Sequence, residues 1–310
     1  MGRLLLLLLL LAAASAPLVA QPGDQPFSVP ELGATFASLQ QAVDAIGTRA
    51  GTIVIAPGRY RQCAVQEAGE IAYRAAEPGR ATLDGKACEG KAALVLGGRK
   101  ASVEGLVFEN IRVADGNGAG IRLQQGDLVV HESLFRDSES GILSAADETG
   151  TVLVERSTFS GLGKCADDCA HAIYVGRYAS LTVRRSRFER GAGGHYVKSR
   201  AARIEVTDSS FDDSAGKATN YMIDLPEGAT GTIARNVFVQ GPAKENYSAL
   251  IVVAAEEARN SSKGLAVSDN QASLAPGQSH ATAFVADLSG DALSIGANRL
   301  GPGIARFERR

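Results

Sequence analysis

Residues 193–203, GGHYVKSRAAR, bring an imidazole, a phenol, an ammonium and a guanidinium into one short segment. If this segment is a β-strand, alternation places Tyr196, Lys198 and Arg200 on one side and His195 on the other. Such groups bind anions and transfer protons. The chain has only 4 histidines and no tryptophan, so this concentration of chemistry marks a candidate site, whose meaning depends on the surrounding elements.

Composition and charge exclude several classes of protein. The 310 residues include 34 acidic and 32 basic side chains, with a formal net charge of −2. This near balance argues against a nucleic-acid binder and against a membrane-surface protein. The length allows a substantial buried core, and we expect a monomer.

The first residues have the pattern of a secretory signal peptide. One arginine precedes a run of leucines from Leu4 to Leu11, and small residues follow up to Ala20. The apolar run is too short to span a bilayer and is followed by a cleavage zone rich in alanine. We therefore predict a signal peptide at 1–20, a periplasmic or secreted location, and no membrane insertion of the mature chain.

The four cysteines of an exported chain are expected to form disulfides. Their spacing suggests the pairs Cys63 with Cys88 and Cys165 with Cys169. Cys165, Cys169 and His171 could instead bind zinc, although their spacing matches no common zinc site.

A repeated phrase dominates the chain from residue 100 onward. It appears as LVVHESLF at 128–135, VLVERSTF at 152–159 and LTVRRSRF at 181–188. A period in this range, with short β-rich segments, is typical of a solenoid. Two columns recur: phenylalanines 108, 135, 159, 188, 211 and 238, and the polar residues Ser133, Ser157, Ser186, Ser209, Asn236, Asn270 and Asn298.

A second short strand lies between these phrases, as in AIYV at 172–175 and YVKS at 196–199. Gaps of variable length favour a parallel β-helix, in which loops leave the corners while like residues stack on like. Before it, Phe36, Leu39, Val43 and Ile46 have helical spacing. An amphipathic helix there would cap the open end of the solenoid.

The phrase TIVIAPGRY at 52–60 resembles the first coil of the right-handed parallel β-helix, or pectin-lyase-like, proteins. The resemblance extends over nearly all of the mature chain and implies the handedness. The predicted fold class is therefore all-β, a right-handed parallel β-helix solenoid with an N-terminal amphipathic capping helix. We place the N-terminal segment and capping helix at 21–50 and the β-helix at 51–310.

Stacking the coils predicts the site. Aligning the second strands puts Ile173, Val197, Ile223 and Ile251 in the core. The outer face would then carry a row of Tyr174, Lys198 and Asp224, a stack of His171, His195 and Tyr221 at the strand entrance, and Tyr196 and Arg200 beside Lys198.

Proteins of this fold often act on acidic polysaccharides, as the resemblance implies. β-Elimination of a uronate needs a group that neutralises the carboxylate, a base for the C5 proton, and an acid for the leaving oxygen. A lysine near other cations can be the base, an arginine can bind the carboxylate, and tyrosine or histidine can serve the leaving group. We therefore predict Lys198, Arg200, His195 and Tyr174 as catalytic residues, and His171, Tyr196, Tyr221 and Asp224 as substrate-binding residues.

YVKSRAARIEVTDSSF at 196–211 is similar to a phrase of the alginate lyase and chondroitinase B group of lyases. That similarity implies Lys198 as the base of a lyase or a related epimerase. The group has its arginine where this chain has Asp224, so Arg200 would have to substitute. The group also usually holds calcium; Asp224, Asp212 and Asp213 are candidate ligands here, without a convincing cage.

Two alternatives stay open. DDCAHAIYVG at 167–176 followed by GGHYVKS resembles polygalacturonase-type hydrolases, which would give Asp167, Asp168 and His195 roles in an inverting hydrolysis. Other elements of those hydrolases are missing. The protein could also be a non-catalytic carbohydrate-binding or surface structural β-helix, with Lys198 and Asp224 forming a surface ion pair and the histidines facing inward. The sequence does not specify the sugar.

Overall fold

The computed structural model describes residues 25–165 and 169–310, without the side chain of Cys165. The predicted signal peptide and the pair Asp167 and Asp168 lie outside the described residues. Within them, the chain forms a right-handed parallel β-helix in which three long sheets run along the solenoid axis. No helix in this part of the chain has the length and hydrophobicity needed to cross a bilayer.

Each coil contributes one strand to sheet I, one to sheet II and one to sheet III, in that order along the chain. The parallel strands of sheet I are Ala50–Ile55, Glu70–Ala75, Lys100–Glu104, Asp127–His131, Asp147–Glu155, Tyr178–Arg184, Arg203–Thr207, Thr230–Ala234, Ala266–Ser268 and Ser294–Ile295. Sheet II consists of Gly58–Tyr60, Ala81–Asp84, Leu106–Glu109, Leu134–Arg136, Thr158–Ser160, Arg187–Glu189, Ser210–Asp212, Val237–Gln240, Gln271–Leu274 and Arg299–Leu300. Sheet III consists of Ala64–Gln66, Ala92–Leu96, Ala119–Leu123, Ser140–Ser144, Ile173–Val175, Val197–Ser199, Ile223–Leu225, Ala249–Val253, Thr282–Asp287 and Ile304–Arg309.

The N-terminal end is closed by the helix Leu39–Ile46, which buries Leu39, Val43 and Ile46. Phe36, which the helical spacing included, instead ends the short strand Ala34–Phe36. That strand pairs antiparallel with Phe27–Val29, which in turn pairs with the first strand of sheet I; a 3-10 turn, Pro30–Leu32, joins the two. The cap is thus a helix and two strands, because the sheet edge also needs backbone partners.

The predicted phenylalanine column is confirmed. Phe108, Phe135, Phe159, Phe188, Phe211 and Phe238 are buried and stack in succession, with ring centroids 4.7 to 4.9 Å apart. This distance is close to the spacing of neighbouring strands, about 4.8 Å, so each ring contacts the ring of the next coil.

The predicted serine and asparagine column is also confirmed, at the corner between sheets I and II. The amide of Ser157 donates to Ser186 Oγ at 3.2 Å, and the amide of Asn236 donates to Asn270 Oδ1 at 3.0 Å. The residue before each member of the column from Ser133 to Asn270 has positive φ, as Arg156 does at 48°. Side-chain acceptors at this corner therefore satisfy amides that the sharp turn takes out of the sheets.

The predicted disulfide between Cys63 and Cys88 is present and spans 25 residues. A structural disulfide indicates an oxidising compartment, as for a secreted or surface protein. The backbone places Cys165 opposite Cys169 in a short antiparallel pair, Lys164–Cys165 with Cys169–Ala170. The bond predicted between them involves a side chain outside the described residues and stays a prediction.

We expect the phenylalanine stack to be a main source of stability. Replacing Phe188 by alanine removes ring contacts on both sides and leaves a cavity, so the free energy of unfolding in urea should fall by about 3–5 kcal/mol. Val237→Ala, at an exposed position beside the stack, should change it by less than about 0.5 kcal/mol. Equal losses in the two variants would contradict this role.

Candidate functional site

The predicted row on the outer face of sheet III is present. Tyr174 pairs in register with Lys198, and Lys198 with Asp224, while Val197 and Ile223 beside them face the core. Ile173, Val197, Ile223 and Ile251 follow one another in the core, as expected. The predicted register is confirmed; it does not by itself test the roles of these residues.

His171, His195 and Tyr221 stack at the strand entrance on the same outer face. The centroids of the His171 and His195 rings are 4.9 Å apart, and those of His195 and Tyr221 are 5.4 Å apart. Ala172 and Ile173 both belong to the core, so alternation is broken there. His171 therefore faces outward, although its spacing from Ile173 alone would place it inside.

The prediction that Tyr196 lies on the outer face is wrong. Tyr196 is 2% exposed and packs edge-on against Phe188 and Phe211. Its hydroxyl donates to Asp213 Oδ1 at 2.7 Å. Like Ala172 and Ile173, Tyr196 and Val197 are consecutive inward residues. Strict alternation cannot anticipate such a pair. Because it is buried, Tyr196 supports the strand from within and is not available to a substrate.

Backbone amides fix the tautomers of both histidines. The amide of His195 donates to His171 Nδ1 at 3.0 Å, and the amide of Tyr221 donates to His195 Nδ1 at 3.1 Å. A ring nitrogen that accepts has no proton, so each neutral ring carries its hydrogen on Nε2. Burial, with help from Lys198, lowers the pKa of His171 to about 3. Burial, together with His171, holds the pKa of His195 well below its usual value. Both rings are neutral donors at neutral pH.

Lys198 is surrounded by carboxylates. Its ammonium donates to Glu256 Oε1 at 2.7 Å and lies 3.5 Å from Asp224 Oδ2. The sequence suggested a lysine that nearby cations make available as a base. An ammonium bound to two acids does not offer a free lone pair, so these contacts favour a fixed cation over the predicted base.

Arg200 connects the row to two further acids. Its Nε donates to Tyr174 Oη at 2.8 Å, one terminal nitrogen donates to Glu227 Oε1 at 2.8 Å, and the other donates to Glu256. The tyrosine oxygen thus accepts from a cation and keeps its own hydrogen for another acceptor.

Asp224 is almost completely buried, with Oδ2 3.4 Å from His195 Nε2. Its Oδ1 has no hydrogen-bond partner within the described residues. Burial raises the pKa of Asp224 to about 6, although the charge of Lys198 opposes the rise. The carboxylate is therefore ionised at neutral pH and close to titration.

Sequence reasoning missed Glu227 and Glu256. Glu227 is 1% exposed and accepts two hydrogen bonds from Arg177, at 2.8 Å each, in addition to the one from Arg200. The hydrogen bond from Arg177 lowers the pKa of Glu227, and the hydrogen bond from Arg200 adds to this effect. Burial opposes both. Both acids lie outside the strands, in segments whose paths follow no repeat.

Sequence reasoning also missed Arg122. It belongs to the sheet III strand of its coil and is in register with Leu143, which is in register with Tyr174. Arg122 therefore lies two strand spacings from Tyr174, roughly 10 Å along the solenoid axis. Within residues 25–165 and 169–310, its Nε has no hydrogen-bond partner and no acid pairs with its guanidinium. Its position in GIRL, which matches that of Lys198 in YVKS, was the available signal.

A cleft of about 450 Å³ connects Arg122 with Tyr174 and Lys198. Leu143 lines it from sheet III, and Asp115 and Asn117 line it from the segment before the strand Ala119–Leu123. A polar cleft of this size can take part of a sugar chain. The side chains that line it include Asp115, Asn117, Arg122, His171, Tyr174, His195 and Lys198.

The proposed metal ligands do not converge. Asp213 is buried, accepts the Tyr196 hydroxyl and lies 3.2 Å from Lys244 Nζ. Among the described residues, the group of close donors is Glu104, His131 and Glu132, on sheet I and at its corner, and it contains none of Asp212, Asp213 and Asp224. These aspartates therefore form no cluster of close side-chain donors within the described residues, and calcium binding stays a prediction. The zinc alternative and the hydrolase alternative depend in part on Cys165, Asp167 and Asp168, of which nothing further is described.

Comparison with known proteins gives similarity of fold only. No protein-family profile and no curated sequence matches the chain. A surface protein and adhesin of Streptococcus pneumoniae is 10% identical, with a TM-score of 0.49 over 87% of this chain and 94% of that chain. A pectin methylesterase from Aspergillus niger is 12% identical, with a TM-score of 0.43 over 86% of this chain and 82% of that chain. Likeness of this degree assigns no activity to the chain.

Proposed function

We propose that the protein is a polysaccharide lyase, or a related epimerase, that acts on an acidic, uronate-containing polysaccharide in the cleft of sheet III. One observation carries the proposal: the Tyr174 hydroxyl accepts a hydrogen bond from Arg200 and shares the cleft with Arg122, a guanidinium that has no acidic partner in the described chain. A phenol beside a fixed cation can transfer a proton, and an unpaired guanidinium in a cleft can bind a carboxylate.

Tyr174 can act first as the base and then as the acid. To become the base, Tyr174 first releases its hydroxyl proton to water. The phenolate oxygen then takes the proton from C5 of a uronate; the C–H electron pair forms the C4–C5 double bond, and the C4–O bond breaks with its electron pair on the leaving oxygen. The new phenol then gives the same proton to the leaving oxygen, which restores the phenolate. Arg200 donates to Tyr174 Oη at 2.8 Å, so it stabilises negative charge on this oxygen. Return of a proton to the other face of C5 would instead give epimerisation.

Other residues of the cleft position the sugar. The Nε2–H of His171 is a neutral donor for a hydroxyl or a glycosidic oxygen. The guanidinium of Arg122 can bind a carboxylate on a neighbouring sugar, since it lies roughly 10 Å from Tyr174 along the axis. Residues of a linear polymer aligned with this axis would meet successive coils.

A second candidate is a carbohydrate-binding protein without catalysis. It is favoured by the fact that Lys198 and Arg200 already pair with Glu256, Asp224 and Glu227. A fully paired set of charges is also what a rigid binding surface requires. The two candidates differ in their products and in their dependence on Tyr174.

A screen of uronate polymers, read by ultraviolet absorbance and by reducing ends in parallel, tests the proposal. A lyase gives both signals, because its product has a conjugated double bond. A hydrolase gives reducing ends alone, and a binding protein gives neither. On the polymer that is cleaved, Tyr174→Phe should lower kcat by about 10²–10⁴-fold, the usual contribution of a proton-transferring group.

The control for this variant is Tyr247→Phe, which removes a tyrosine hydroxyl that donates to Pro242 outside the cleft. It should keep kcat within about twofold of the wild type. Full activity of Tyr174→Phe would remove Tyr174 from the mechanism, and the absence of ultraviolet-absorbing product on every uronate polymer would remove the lyase.

Arg122 is expected to contribute to binding. Arg122→Ala should raise KM about tenfold with little change in kcat, because it removes a contact present both before and during the reaction. Arg203→Ala, which removes an exposed arginine from sheet I, should change neither constant. Equal KM values for the two variants would exclude Arg122 as a substrate contact.

Activity should depend on the charge of Asp224. Its pKa is raised to about 6, so the group is ionised above that pH and takes up a proton as the pH falls through it. The neutral acid no longer holds Lys198 and His195, and kcat should fall about tenfold between about pH 7 and pH 5. Asp224→Asn should have the low activity at both pH values, whereas Asp208→Asn, at an exposed ion pair with Arg235, should keep the wild-type profile. If kcat of Asp224→Asn fell with pH as it does in the wild type, Asp224 would not be the group that titrates.

A further inference from the structure

A carboxylate of the chain itself occupies the cationic end of the site. Glu256 Oε1 accepts from Lys198 at 2.7 Å, and Glu256 Oε2 accepts from Arg200. Each oxygen thus has its own cation, which is the arrangement expected for a recognised carboxylate. The Glu256 side chain is 45% exposed, whereas those of Lys198 and Arg200 are 13% and 20% exposed. Glu256 therefore covers the two cations from the solvent side.

The backbone beneath Glu256 is anchored. The amides of Glu256 and Glu257 both donate to Pro226 O at 3.0 Å, and the amide of Asn260 donates to Glu227 O at 2.9 Å. Because these bonds hold the main chain, Glu256 could leave the cations only by rotation of its side chain. Such rotations of a half-exposed side chain are fast and require no opening of the loop.

We propose that Lys198 and Arg200 form a carboxylate-binding subsite for the uronate that reacts, and that Glu256 fills this subsite until the sugar displaces it. The inference rests on the proposed substrate class and does not require elimination to occur. The ligand class is a sugar carboxylate, since the group that now occupies the subsite is a carboxylate with both oxygens bound.

The position of this subsite suits the chemistry. Arg200 contacts Glu256 and Tyr174 at the same time. In a uronate the carboxylate is attached to C5, so a sugar bound in place of Glu256 would bring its C5 proton beside the Tyr174 oxygen. Asp224 cannot exchange in the same way, because it is buried and faces His195 as well as Lys198. Glu256 is therefore the acid that can be displaced.

Competition by Glu256 weakens the apparent affinity of the subsite for a uronate by a measurable factor. If Glu256 fills the subsite in about nine molecules of ten, the apparent affinity for a uronate is about tenfold weaker than that of the open subsite. Glu256→Gln removes the charge that competes and keeps the size of the side chain. Glu257→Gln is the matched control: it removes the same charge from the adjacent residue, whose carboxylate lies 3.9 Å from Arg177.

The test is calorimetric titration of short oligogalacturonates and oligomannuronates, with a neutral cello-oligosaccharide as the reference sugar. All proteins carry Tyr174→Phe to prevent turnover. Glu256→Gln should bind an oligouronate with a Kd about tenfold lower than the parent, and Glu257→Gln should stay within about twofold. Glu256→Asp keeps the charge on a side chain too short to reach both cations equally, so its Kd should lie between those of the parent and Glu256→Gln. This variant provides the test if Glu256→Gln does not fold.

Binding by Glu256→Gln that is equal to or weaker than binding by Glu257→Gln would overturn the subsite, as would equal gains for the neutral sugar. Failure of every oligouronate to bind any variant would overturn it too. The proposed activity fails separately: tighter binding by Glu256→Gln without any unsaturated product from the wild type would leave the subsite and remove the lyase.

Discussion

The fixed register between coils is the constraint on which the site depends. Side chains from segments about two dozen residues apart act together only because each strand hydrogen-bonds to the same positions of the next coil. A slip of one residue would turn Tyr174, Lys198 and Asp224 into the core. The stacked phenylalanines and the serine and asparagine column both work against such a slip, since each is matched in the coils that carry the row. The inner columns thus give the outer row its geometry.

The fold and the row were predictable because both depend on a repeat. Phenylalanine spacing predicted the coils, and alignment of the second strands placed Lys198 beside Tyr174 and Asp224. Tyr196 was misplaced because two consecutive residues face inward at the strand entrance, where corner geometry overrides alternation. Glu227 and Glu256 could not be found in this way, since they belong to irregular segments that no repeat aligns. Arg122 was visible in the pattern, but it lies three coils from Lys198, the nearest charged residue of the row.

The irregular segments decide the electrostatics of the regular sheet. The strands supply Lys198 and the aromatic rings, and the segments after them supply the acids that pair with the cations. Glu227 is fixed by Arg177 and Arg200 in the interior, so it keeps Arg200 directed at Tyr174. This division is common where loops on a rigid scaffold carry function. It also explains why a lysine that could be a base in isolation is a bound cation here.

Exchange of one carboxylate for another is a less costly event than binding a carboxylate to hydrated cations. Lys198 and Arg200 are already largely withdrawn from water and oriented by Asp224, Glu227 and Tyr174, so most of the desolvation and ordering has occurred during folding. A sugar that brings its own carboxylate restores every charge contact that Glu256 gives up. A neutral sugar would leave two partly buried cations with fewer acceptors, which costs free energy. The occupied subsite therefore discriminates by charge, because only an anionic sugar can replace what it displaces.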